Sequence, residues 1–190
     1  MAVVATRLAA ASICALTLAA VTACGASSSS DRPASSGVTA AALTSYVNAV
    51  QKVRLPVNAL LGGADAILDP YHDHKISPKV AATRFGNLEG QFAIYARQMQ
   101  EITPPDATLA RINKPYAQTY FFEDSYLATL ASDLHEGDFD NLPNTQGAQR
   151  LAIIRWRIAL EVLADRLHVT LPANLQQAGR GEIAPSIEGS

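Results

Sequence analysis

Cysteine occurs only twice in the 190 residues, methionine twice and tryptophan once, and aromatic residues make up 6% of the chain. Two cysteines allow at most one disulfide, so packing must supply most of the stability. Neither sign of charge dominates: 15 basic residues face 17 acidic ones, a formal net charge of −2. Nothing in that balance favours a nucleic-acid partner. There is no phosphate-binding glycine loop, no dinucleotide fingerprint and no Gly-x-Ser-x-Gly nucleophile elbow. Nor is there an uncharged apolar run of about 20 residues, the length a bilayer crossing needs. The apolar content is nevertheless 48%, enough for one core, and the abundance of alanine, leucine and valine over aromatics suits helices better than strands.

The most apolar stretch lies at the N-terminus. Arg7 supplies one positive charge, and Leu8 to Val21 forms an uncharged core of 14 residues. This is the layout of an export signal, too short for a permanent span. It ends in Val21-Thr22-Ala23-Cys24, an aliphatic residue, two small ones and a cysteine. The motif resembles the lipobox of bacterial lipoproteins. In that class the cysteine thiol is joined to a diacylglycerol and the signal peptidase cuts immediately before it. The resemblance implies a mature chain beginning at lipidated Cys24, held on the outer side of the cell membrane. Several acyl chains anchor stably, because each buried CH₂ contributes about 0.8 kcal/mol. Ile13 before Cys14 is too bulky for the cleavage position, so Cys14 leaves with the signal peptide. Removal of residues 1–23 also takes Arg7, leaving 14 basic and 17 acidic residues, or −3.

After Cys24 the chain reads GASSSSDRPASSG, dominated by serine, glycine and proline, the composition of a flexible spacer. The domain organisation expected is a signal peptide over 1–23, a lipidated N-terminus and linker over 24–37, a helical domain over 38–172 and a tail over 173–190. Four long segments carry helical spacing. The first, Thr39 to Leu68, aligns Leu43, Val47, Val50, Val57, Leu61 and Leu68, with bends expected at Pro56 and Gly62-Gly63. The second opens on Ser77-Pro78, an N-cap followed by proline, and aligns Ala81, Phe85, Leu88, Phe92, Tyr95 and Met99. Thr103 to Asp106 is a tight connector to the third, which runs to Leu134 with a kink expected at Pro115. The fourth, about Thr145 to Thr170, has two apolar sets, one containing Ile153, Trp156 and Leu160, the other Leu151, Ile154, Ile158 and Val162. The tail shows no period. This pattern predicts an all-α protein, an up-down-up-down four-helix bundle.

Charged residues inside these stripes are the candidate site. At 100° per residue Glu123 falls between Tyr120 and Leu127, and Arg54 between Val50 and Val57. Arg157 and Glu161 lie between the two apolar sets of the last helix. Counted from the bundle end at about 1.5 Å per residue, Glu123, Arg157 and Arg54 come to one depth, about 17 to 20 Å, with Gln91 near the same level. The expectation is a buried polar layer in which Glu123 faces Arg54 and Arg157 and Glu161 completes neutrality, since an unpaired buried charge costs several kcal/mol. Such a layer fixes helix register, or, lined by Tyr95, Tyr116 and Tyr120, binds an anionic or zwitterionic ligand.

A second candidate is the stretch Asp69 to His74, DPYHDH. His72, Asp73, His74 and His135 are expected at one bundle end, with acidic residues of the loop after the third helix nearby. Imidazole and carboxylate together can bind zinc, copper or nickel, although the spacing matches no strong metal signature. A di-iron centre needs two Glu-x-x-His pairs. Only Asp165-x-x-His168 offers comparable spacing on a helix, since Pro70 is expected to break the one containing Asp69-x-x-His72. The sequence therefore reads as a non-catalytic extracytoplasmic lipoprotein without a cofactor, tethered to the membrane by its lipid, that binds a protein or a small molecule. A metal-binding or metal-sensing lipoprotein is the alternative.

Overall fold

The computed structural model describes residues 37–179, 181–185 and 187. The expected signal peptide, Cys24 and nearly all of the linker lie outside these residues. Among the described residues there is no strand, and four long helices pack together. They are α1 (Ala40–Leu61), α3 (Pro78–Glu101), α4 (Ala107–Glu136) and α5 (Gln146–Leu167), with a short α2 (Asp65–His72) between the first two. α3 lies against α4, α4 against α5, and α1 against both α3 and α5, while α2 packs on α3.

Local chemistry explains the boundaries. Thr39 Oγ1 accepts the Ala42 N–H at 3.1 Å, Ser77 Oγ the Val80 N–H at 3.3 Å, and Asp106 Oδ1 the Thr108 N–H at 2.7 Å. Each satisfies a donor that a helix start leaves unpaired. Gly137, at φ 74°, ends α4 in the left-handed conformation glycine adopts without strain. The first periodic segment is not one bent helix but two: a Cβ on Gly63 would sit 3.1 Å from the Leu60 carbonyl oxygen, and α2 starts afresh two residues later.

Helices α1 and α4 continue through Pro56 and Pro115. A proline frees the carbonyl four residues earlier, and here those carbonyls belong to Lys52 and Arg111, both exposed residues. The expected break at Pro70 is absent for the same reason: α2 carries Pro70 inside it, and the carbonyl left free is that of exposed Ala66.

The core follows the stripes. Leu43, Val50, Val57, Phe85, Phe92, Leu109, Leu127 and Leu130 are fully buried, with Trp156 and Leu160 from the last helix. Of the two apolar sets on α5 the one containing Trp156 faces inward; Leu151, Ile154, Ile158 and Val162 remain exposed. The C-terminal segment departs most from the sequence reading. Residues Ala173–Gln177 form a 3₁₀ turn that buries Leu175, and the irregular chain beyond buries Ala178, Glu182, Ala184 and Ile187. This segment is part of the core.

Candidate functional site

Two sites emerge, one inside the bundle and one at its end. The internal one is built around Arg54, only 1% exposed at the middle of α1. Its counter-charge is Glu182: the Arg54 Nε donates to Glu182 Oε1, and the guanidinium also reaches Gln51 Oε1 at 3.3 Å. The second carboxylate oxygen accepts from the Tyr116 hydroxyl at 2.9 Å, and the Gly179 N–H reaches the first at 3.3 Å. Both charges and their spare hydrogen-bonding positions are thus served from within, the condition under which a buried ion pair is tolerated.

An aromatic wall flanks this pair. Tyr116 stacks on Trp156 with centroids 3.9 Å apart and planes 8° from parallel, and it meets Tyr120 edge-on. The Trp156 indole donates to the Tyr46 hydroxyl at 2.8 Å, which donates to Asn113 Oδ1 at 2.8 Å. Burial holds the phenols of Tyr46, Tyr116 and Tyr120 far above their ordinary range. They stay protonated and act as donors.

Glu123 is also 1% exposed, but its partners differ from those expected. One oxygen accepts the Ala184 N–H at 2.6 Å and the other the Gln149 side-chain amide at 3.0 Å. Burial raises this carboxyl to about 7, against the lowering effect of the Ala184 and Gln149 donors. The C-terminal segment is therefore held twice: its own Glu182 enters the core, and its Ala184 amide caps a carboxylate already there. Gln51 to Asn174 at 2.6 Å, Gln146 to the Ala184 carbonyl at 3.4 Å and Tyr126 to the Pro185 carbonyl at 3.4 Å add further ties.

The charge layer deduced from helix periodicity is accordingly corrected. Arg54 and Glu123 are buried as expected from their arcs, yet each is neutralised or capped by the C-terminal segment. Arg157 and Glu161 form an ion pair of 3.6 Å with side chains 28% and 43% exposed, and the Arg157 guanidinium donates to the Gln176 carbonyl at 2.8 Å. They sit at the flank because the Trp156 set takes the core position on α5. Gln91 is exposed and donates to the Asn87 carbonyl on its own helix at 3.2 Å. It faces away from the network. Tyr95 is half-buried, while Tyr116 and Tyr120 belong to the network. Glu182 is the residue the sequence reading missed. Its trace in the sequence is indirect, a lone acid beside Ile183 and Ala184, and a buried arginine in need of an anion.

The second site is a groove of about 790 Å³ at the end of the bundle, walled by Tyr71, Ile76, Phe139 and Ile187 and rimmed by His72, His74 and Lys75. An edge-on contact of Tyr71 with Phe139, centroids 6.5 Å apart, joins the α2 end to the loop after α4. Asp73 and Lys75 pair at 2.8 Å on the exposed rim, and the Lys75 hydrogen bond lowers the Asp73 carboxyl below its usual value. His135 is exposed and does not line the groove. His72, Asp73, His74 and His135 do not form a ligand set: among the described residues no three His, Cys, Asp or Glu side chains are gathered to hold a metal ion. The short Asp73–Lys75 pair occupies the carboxylate instead.

No family model matches this chain, and no similar protein emerges from the curated proteins or from the solved structures.

The raised Glu123 carboxyl makes a pH prediction. Its folded value is about 7 against an ordinary 4.5, so between those values the folded state binds more protons than the unfolded state. Stability then falls as pH rises through this window. From pH 5 to pH 8 the Glu123 contribution should fall by about 2 to 3 kcal/mol, at 1.36 kcal/mol per unit. Urea unfolding of the natural chain and Glu123→Gln at both pH values isolates it: the natural chain should lose that much relative to the variant. Parallel pH profiles would refute the assignment.

Proposed function

We propose that this protein is a lipid-anchored, non-catalytic binding module of the cell envelope, its domain an up-down-up-down bundle. Partner positions support the alternating direction. Phe92 stacks on Tyr120, and Gln100, later in α3, bonds to Ala117, earlier in α4. Gln149 bonds to Glu123, and Trp156, later in α5, stacks on Tyr116, earlier in α4. In both pairs one helix is read forward as its neighbour is read backward.

The observation that carries the tethered reading is the sequence Val21-Thr22-Ala23-Cys24 after a short apolar core, followed by a serine-rich spacer that ends where helix capping begins at Thr39. Among the described residues no helix is long and apolar enough to cross a membrane. A lipid at Cys24 would then be the anchor, and the spacer would let the bundle stand away from the bilayer. The internal Arg54–Glu182 pair is a lock that fixes the C-terminal segment and the helix register, since its polar groups are satisfied by one another. Binding belongs to the end groove. Apolar walls with histidine and lysine at the rim suit a ligand with an aromatic or aliphatic body and one anionic group.

Fractionation of bacterial cells expressing the full chain tests the anchor. The natural chain and Cys14→Ala should sediment with membranes, and Cys24→Ala should not be retained there as a lipidated species; equal membrane retention with the same lipid mass would refute it. The groove is tested with anilinonaphthalene sulfonate, an apolar anion. Phe139→Ala and Lys75→Glu should each weaken its binding fivefold or more, and unchanged titrations would remove the groove from the proposal.

A further inference from the structure

The outward face of α5 is apolar along three turns. Leu151, Ile154, Ile158 and Val162 are 47%, 40%, 48% and 52% exposed, directly opposite the buried Ile153, Trp156 and Leu160. The other large exposed apolar residues, such as Val80, Ile94 and Phe121, are single positions on other helices. Spacings of three, four and four residues make one continuous strip about 16 Å long at 1.5 Å per residue. Contiguous exposed aliphatic surface of this kind marks an interaction site.

We propose that this face pairs with the same face of a second copy of the chain, the two α5 helices running antiparallel about a two-fold axis near Trp156 and Arg157. The strip is nearly symmetric about that point. Leu151 meets the partner's Val162, and Ile154 meets the partner's Ile158. Such self-complementarity is what a two-fold interface demands.

The charges on one border agree. At 100° per residue Arg150 and Glu161 lie on one flank of the strip and Asp165 continues its line just past Val162, Arg150 at one end and the two acids at the other. The two-fold places each Arg150 beside the partner's Asp165, twice over, and complementary charge at a rim sets register and orientation. Arg155 and Arg166 border the opposite flank; both are exposed, so their long side chains can extend into water. One helix pair is a small interface, so the dimer is weak and concentration-dependent. A bilayer is the less suitable partner: the face carries no tryptophan or tyrosine, and Glu161 and Asp165 on its border oppose an anionic surface. The pairing does not depend on the groove reading.

The test uses the full chain in cells. Ile158→Cys, treated with a short membrane-permeant bis-maleimide, should give a band at twice the chain's mass, whereas Ile94→Cys on α3 should not. Ile94→Cys also controls for any reaction at Cys24. In the Ile158→Cys background, Leu151→Glu with Val162→Glu should cut the dimer band at least fivefold, and Arg150→Glu should cut it about threefold. Adding Asp165→Arg to Arg150→Glu should restore the band, a rescue that misfolding cannot mimic. The proposal fails if Ile158→Cys gives no band above the Ile94→Cys control. It also fails if the adduct has another mass, if the charge exchange does not rescue, or if position 158 is shielded from a water-soluble maleimide without dimer formation, as on a membrane.

Discussion

Glu182→Ala should destabilise the protein by about 3 to 5 kcal/mol, the cost of stranding one member of a buried charge pair. The alanine removes the carboxylate that the Arg54 guanidinium and the Tyr116 hydroxyl both address, and Arg54 has no aqueous route at 1% exposure. Arg54→Met should cost a similar amount by leaving the carboxylate without its cation. The double variant Arg54→Met with Glu182→Leu replaces both charges by apolar groups and should cost at least 2 kcal/mol less than the sum of the separate changes, a coupling within the range expected of directly contacting residues. Urea unfolding followed by circular dichroism measures all three. Additive costs would mean that the two side chains do not neutralise each other.

The second large effect is expected of Trp156→Ala, at about 3 to 5 kcal/mol. The indole is 2% exposed, stacks on Tyr116 and donates to Tyr46. Its removal opens a cavity beside the Arg54–Glu182 pair and strands the Tyr46 hydroxyl as an acceptor, so the loss exceeds the transfer term of the ring alone. Trp156→Phe retains most of the volume and should cost distinctly less. A loss below about 1 kcal/mol for the alanine variant would show that α5 does not present Trp156 to the core.

These two sites differ in how far the sequence discloses them. Trp156, Arg54 and Glu123 lie on helices, where a regular 100° advance projects each residue onto an arc, and their burial follows from the company they keep on that arc. The same projection gives depth and direction only coarsely, so Gln91 matches the level of the layer yet points outward. On α5 it leaves a choice between two apolar sets. The set with the bulky indole takes the core, which moves Arg157 and Glu161 to the flank and leaves Leu151, Ile154, Ile158 and Val162 facing water.

Glu182 was beyond such reasoning because it sits in an irregular segment, where no period links sequence position to direction. Its place is set by the need for an anion at Arg54 and by the Ala184 amide finding Glu123, contacts spanning 128 and 61 residues of sequence. Pro70 shows the converse error, a local rule overridden because the carbonyl it frees is on the solvent side. The groove combines residues of α2 and the turn that follows it, the loop after α4 and the C-terminal segment. Counting helix ends brings only the first two together.

The tethered reading turns on the chemistry of one sulfur atom, so the mass of the N-terminal peptide of the membrane-extracted protein tests it most directly. The peptide should begin at Cys24 and carry a diacylglycerol on its thiol. A chain that retains residues 1–23, or one with an unmodified thiol at position 24, would contradict it.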